Sequence, residues 1–157
     1  MELKPVGEIK LQEYERYHID NGMIVYLMEN HELPLVNGRA LINTGSRLEP
    51  ADEVGLAFLT GQVMRTGGTQ KHTPDKLNQI LEQRAASVES VIGGTSGSAA
   101  FEALTEDVDT VFGLFAEVLQ QPAFAANQLE LAKTQMKGGI ARRNDSPDQI
   151  ARREFDN

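Results

Sequence analysis

The alternation of apolar and polar positions divides the chain into short strands and amphipathic helices. Tyr14 to His18 and Met23 to Met28 read as strands on either side of Asp20-Asn21-Gly22, a hairpin signal because Asn and Gly tolerate positive φ. Leu35 to Ile42 predicts a third strand. Gly55 to Arg65 predicts a short helix that Gly67-Gly68 stops. Thr73-Pro74 is an N-cap with Pro at the first helical position, and opens a helix to about Arg84. Ser87 to Ile92 and Ser98 to Leu104 read as strands around the connection Gly93-Gly94-Thr95-Ser96-Gly97. Val108, Val111, Phe112, Phe115 and Leu119 recur at the spacing of a core-facing helical stripe, which Pro122 ends. A longer helix is expected from about Ala126 to Arg143. Ser146-Pro147-Asp148-Gln149 has the form of a capping box, with Ser at the N-cap and Gln at N3, and starts another. Groups of strands alternating with helices predict an α+β fold, with helices packed on a largely antiparallel sheet. No internal repeat or low-complexity tract interrupts it.

Composition narrows the picture only a little. A chain of 157 residues is long enough for one domain with a real core. Its hydrophobic content of 40% and charged content of 24% are ordinary for a globular domain. The formal net charge of -8 argues against nucleic acid or an anionic membrane as partner. There is no Cys, hence no disulfide and no thiolate metal site. No apolar run approaches the roughly 18–20 residues of a membrane-spanning helix, and no signal-peptide pattern opens the chain. The compartment stays open: bacterial periplasm if a signal peptide has been removed, otherwise cytoplasm.

The most informative segment is Gly55-Leu56-Ala57-Phe58-Leu59-Thr60-Gly61-Gln62-Val63-Met64-Arg65-Thr66-Gly67-Gly68-Thr69. It resembles the inverted-motif helix of the pitrilysin/insulinase family of zinc metallopeptidases, which includes the mitochondrial processing peptidases. There the helix reads roughly G-L-A-H-x-x-E-H and closes on G-T. Its two His bind Zn²⁺, and the Glu between them is the general base. In this chain Phe58 and Gln62 stand at the His positions and Gly61 at the Glu position. Asn21-Gly22, Leu33-Pro34-Leu35-Val36 and Asn43-Thr44-Gly45-Ser46-Arg47-Leu48-Glu49-Pro50 resemble the family's opening hairpin, next strand and pre-helix loop. Gly138-Gly139-Ile140-Ala141-Arg142-Arg143-Asn144-Asp145-Ser146-Pro147 resembles the segment E-I-x-R-R-x-D-x-P that carries the third ligand. Aligned on Ile140, Arg142, Arg143, Asp145 and Pro147, that ligand falls at Gly139.

The joint loss has a physical logic. A carboxylate kept without its metal would be a buried, uncompensated charge, at a cost of roughly 3–5 kcal/mol. Losing the metal, both carboxylates and both imidazoles leaves a neutral site that can pack. The resemblance therefore implies no catalytic residue, no zinc and no other cofactor, with Phe58, Gly61, Gln62 and Gly139 as the degenerate positions. It also predicts that Phe58, Gln62 and Gly139 lie together, residues 58 and 62 one turn apart and Gly139 on a neighbouring helix. Gly61 and Gly139 are each expected to cost about 1 kcal/mol in a helix interior. Close approach of the two helices, with Phe58 filling the vacated site, is the expected compensation. A distant Gly139, a non-helical stretch 55–65 or a Phe58 pointing into solvent would make the alignment wrong and take the functional reading with it.

Other candidates are weaker. His18, His31 and His72 share no helix face, so they read as surface or structural histidines. Asn30-His31-Glu32 reads as a solvated turn. Gly93-Gly94-Thr95-Ser96-Gly97-Ser98 lacks the Gly-Lys-Ser/Thr of a phosphate loop and reads as a strand connection. Arg142, Arg143, Arg152 and Arg153 read as solvated or weakly paired, with an anion or an acidic partner as the alternative. Glu49, Asp52 and Glu53 precede a helix and favour its positive end. No Ser/His/Asp or Cys/His set is visible.

The resemblance implies a non-catalytic subunit or half of a pitrilysin/insulinase-type zinc peptidase. It would shape a peptide-holding chamber with a zinc-bearing subunit of the same family or a second copy, and contact extended peptides. The alternative is an architectural subunit of the same fold, like the core proteins of the respiratory cytochrome bc complex. Residues 1–157 are expected to form the N-terminal part of one such domain, an incomplete sheet leaving a strand edge open to pairing.

Overall fold

The computed structural model describes residues 12–155, with the backbone alone at Gln149, Arg152 and Arg153. Backbone contacts group the chain into two units, one running up to Pro34 and the other from Leu35.

The first unit is an antiparallel hairpin of β1 (Glu15–His18) and β2 (Ile24–Leu27). Gly22, at φ 88°, supplies the left-handed residue of its turn. Asn21 Oδ1 accepts from the Met23 amide at 3.0 Å, a side chain standing in for backbone as Asn does in turns. Arg16 lies over the Tyr26 ring, 5.8 Å from its centroid.

The second unit is a three-stranded antiparallel sheet carrying helices. Its strands are β3 (Leu35–Ile42), β4 (Ser87–Ile92) and β5 (Gly97–Leu104), in the order β3-β5-β4. Between β3 and β4 the chain makes α1 (Leu56–Thr66) and α2 (Pro74–Glu82). After β5 come α3 (Val108–Gln120), α4 (Ala126–Ala141) and α5 (Pro147–Phe155). The strands thus divide into two antiparallel sheets, one per unit, within the expected α+β fold. Among the described residues no helix is long and apolar enough to cross a membrane.

The register decides which face of the larger sheet is core. Val88 pairs with Phe101, and Phe101 with Gly38. Opposed residues point the same way, so Val88, Ala99, Phe101 and Ala103 share the buried face. Leu77 and Leu81 of α2 and Val111, Leu114, Phe115 and Val118 of α3 pack in the same cluster. Each fully buried Val or Leu contributes about 1.5–3 kcal/mol. The opposite sheet face keeps Leu41 77% and Val91 54% exposed. The buried face of α3 runs through Leu114 and Val118, with Phe112 left 54% exposed. Phe112 flanks the stripe and meets Phe101 at the edge, ring centroids 5.6 Å apart, so a ring expected in the core sits on its rim. Thr73 caps α2 by accepting from the Lys76 amide. Ser146 opens α5 by accepting from the Ile150 amide through its carbonyl; the Gln149 side chain of the expected capping box lies outside those described.

Candidate functional site between α1 and α4

Helix α1 is fixed at both ends before any site is formed. At its start, the Glu49 carboxylate accepts from the amides of Gly55 and Ala57. One acidic side chain thus satisfies two of the orphan donors and sits at the positive end of the helix. Asp52 and Glu53 stay exposed. The turn before the helix is pinned to the β4–β5 connection: Ser46 and Arg47 amides donate to the carbonyls of Gly93 and Gly94 at 2.9 and 3.1 Å. This is the strand connection expected of that glycine-rich segment.

At the other end, Glu117 of α3 gathers the loop that follows α1. It accepts from His72 Nδ1 at 2.9 Å, Lys71 Nζ at 3.2 Å and Thr69 Oγ1 at 3.1 Å. Burial by itself raises the Glu117 pKa, but hydrogen bonds from His72, Lys71 and Thr69 outweigh it and hold the carboxyl below its ordinary range. The Glu117 side chain is 16% exposed. His72 is therefore a structural histidine, while His31 is exposed and 3.4 Å from Glu29. Sequence reasoning missed Glu117. Its one signal is an acidic residue beside the buried Val118 on α3, and only the fold brings it to His72, 45 positions away.

Between these anchors, the side of α1 that meets α4 bears an open surface hollow of about 450 Å³. Phe58, Gln62, Gln135, Met136, Gly139 and Ile140 line it. Gln62 Nε2 donates to Gln135 Oε1 at 3.2 Å, across 73 positions of sequence. Phe58, Gln62 and Gly139 thus share one hollow, residues 58 and 62 a turn apart on α1 and Gly139 on α4. Gln135 and Met136 were not singled out from the sequence, although they lie one turn before Gly139.

Three expectations about this region are corrected. Gly61 does not face α4. A Cβ there would fall 2.3 Å from the Ile92 amide nitrogen, so its missing side chain lets α1 lie on β4, where Ser90 Oγ donates to the Gly61 carbonyl at 2.6 Å. Gly139 makes no close approach, since a Cβ there meets nothing within 4 Å. A close contact lies instead at the N-cap of α1, where Met136 Cε would lie 2.8 Å from a Cβ on Gly55. Phe58 does not fill the space. It is 48% exposed, so it points partly into solvent, against the expectation from the alignment, while it also lines this hollow and a second of about 470 Å³ bounded by Glu49, Val54 and Ile92. The buried stripe of α1 is Ala57, Gly61 and Val63, which leaves Phe58 at its margin.

The donor set does not suit zinc. The lining offers two neutral amides, a thioether and hydrocarbon, where zinc takes imidazole, thiolate or carboxylate. Among the described residues no three His, Cys, Asp or Glu side chains come together in a way that could hold a metal ion. Arg142 Nε donates to the Gly138 carbonyl at 3.3 Å and so closes the end of α4. Arg152 and Arg153 have side chains outside those described.

An antiparallel sheet covered by helices, with α1 lying on β4, is an α+β fold. Residues 25–156 match the insulinase family, peptidase family M16, and the chain belongs to that family. It is 31% identical over 124 residues to the non-peptidase homolog YmxG of Helicobacter pylori (strain ATCC 700392 / 26695), covering 79% of this chain and 28% of that protein. A peptidase M16 inactive domain from Pseudomonas fluorescens superposes with a TM-score of 0.82 at 24% identity, over 90% of this chain and 34% of that one. A protease from Helicobacter pylori superposes at 0.74 with 16% identity, over 89% and 34%. The chain thus spans about a third or less of the length of these relatives.

Proposed function

We propose that the chain is a non-catalytic, pseudopeptidase part of an insulinase-type assembly. It is read as the N-terminal part of one peptidase-like domain, either a separate subunit or half of a longer protein. Its role is to shape a peptide-holding chamber with a zinc-bearing partner of the same family or with a second copy. The observation that carries this reading is the meeting of Phe58, Gln62 and Gly139 in one hollow, at positions where the family resemblance puts three zinc ligands. With Gly61 at the position of the general base, nothing there activates water or polarises a carbonyl. The names of two relatives, a non-peptidase homolog and an inactive domain, point the same way.

Two assays test it. Elemental analysis after dialysis is expected to give no stoichiometric zinc, and a digest of unstructured peptide no chelator-sensitive cleavage. Tightly held zinc, or cleavage that co-purifies with the chain and stops with chelator, overturns the reading. Added as the full-length protein to a zinc-bearing family member from the same source, it is expected to raise that partner's turnover. Binding to the partner without any effect on turnover favours the architectural alternative.

A further inference from the structure

Helix α4 changes character at Gly138-Gly139. Before the pair it is seated on α1: Ala132 is buried and Met136 reaches Gly55 at the N-cap of α1. Its first turn is tied down as well, since the Ala125 amide donates to the Gly67 carbonyl. Beyond the pair, none of the described side chains of α4 or α5 is buried. Ile140 is 50% and Phe155 91% exposed. The backbone bonds change at the same place. The Arg142 amide still donates to the Gly138 carbonyl, at 3.3 Å, but the Arg143 and Asp145 amides reach back only to Ile140 and Arg142. Such a tightened last turn has poorer hydrogen-bond geometry than α-helix.

Neither glycine is required by space or by backbone conformation. A Cβ on Gly139 meets nothing within 4 Å, and one on Gly138 meets only the end of the Arg142 side chain, at 3.7 Å. Both residues lie within helix, with neither in the left-handed region. Glycine is among the weakest helix formers, and adjacent small residues are where helices bend. A pair of them at the border between a seated stretch and an unburied one is the arrangement of a hinge.

We propose that Gly138-Gly139 is a hinge about which residues 140–155 swing as one arm, while the preceding part of α4 stays on α1. The arm keeps its own helix, α5, which Pro147 opens and the bond from the Ile150 amide to the Ser146 carbonyl begins. Arg142 braces the arm in the position described, its Nε donating to the Gly138 carbonyl. That brace is an exposed side chain, so releasing it exchanges one hydrogen bond for one to water. Ile140 lines the hollow beside Phe58, so the swing carries Ile140 toward Phe58 or away from it and sets how open the hollow is.

The test measures distances between spin labels in the full-length protein, on a background without other cysteines, by pulsed electron paramagnetic resonance. Labels at Asn127→Cys and Ala151→Cys span the hinge, and labels at Asn127→Cys and Thr110→Cys give a reference pair that avoids it. The spanning pair is expected to show a distance distribution at least about twice as wide as the reference pair. Gly138→Ala/Gly139→Ala is expected to narrow it to the reference width, because Ala stiffens the helix where a Cβ has room. Hydrogen exchange separates a hinge from unfolding. The amides of residues 151–155 should exchange at least about tenfold more slowly than in the free peptide of the same sequence. A spanning pair as narrow as the reference means that the arm is fixed, and overturns the proposal. A distribution that stays wide in the double Ala variant places the motion elsewhere and also overturns it. Unprotected amides in α5 overturn it too, since the arm would then be unfolding rather than swinging.

Discussion

Helix α1 has two differently built neighbourhoods. Beyond its C-terminal end, Thr69, Lys71 and His72 converge on Glu117. On its α4 side, two neutral amides bond each other beside unfilled space. The first region has the residue types of a catalytic site, yet its donors meet one shared acceptor and hold a loop against α3. The second lacks such residues, yet it holds the open space. In this chain, titratable side chains at close quarters mark a clasp, and neutral groups line the open hollow.

The comparison breaks first if α1 is not seated as described. Gly61→Leu is expected to destabilise the chain by about 3 kcal/mol, because the β4 backbone cannot give way to the new side chain. Urea unfolding measures it, and a loss below about 1 kcal/mol would mean that the helix does not lie on Ile92. The clasp comes next. Glu117→Gln is expected to cost about 2 kcal/mol at neutral pH, through weakened hydrogen bonds to His72, Lys71 and Thr69. A carboxyl whose pKa is lowered on folding stabilises above its unfolded value of about 4.3 and loses that contribution as pH falls through the lower, folded value. The gap between the parent and Glu117→Gln should therefore be full near neutral pH and close as pH falls through the lowered, folded value. A gap that does not change with pH would show that Glu117 is not ionised in the clasp. The smallest effect falls at the hollow. Gly139→Ala should stabilise by about 0.5–1 kcal/mol, since it adds helix propensity where a Cβ meets nothing. A destabilised Gly139→Ala would mean that α4 packs more closely there than described.

How far the sequence revealed this depended on whether the signal was local. The turn at Asn21-Gly22, the cap at Thr73-Pro74 and all of β3 follow from neighbours in sequence, and the elements lie where the pattern puts them. The gathering of Phe58, Gln62 and Gly139 was legible only through family resemblance, because no periodicity links residue 62 to residue 139. What these residues do to the packing was not legible. A glycine reads alike whether it admits a neighbouring backbone, as Gly61 does, or leaves open space, as Gly139 does. The clasp at Glu117 was hidden because its partners come from different elements, and nothing local separates a bonded His72 from a solvated one.

The central claim is that residues 58, 62 and 139 occupy the places where the family resemblance puts three zinc ligands. The most direct test is the zinc content, after dialysis, of the triple variant Phe58→His/Gln62→His/Gly139→Glu beside that of the parent. If the three positions converge as described, the variant can bring two imidazoles and a carboxylate to about 2.0–2.2 Å from one ion. It should then retain stoichiometric zinc that chelator removes, while the parent retains none. A parent that holds stoichiometric zinc, or a folded triple variant that holds no more than the parent, would contradict the account.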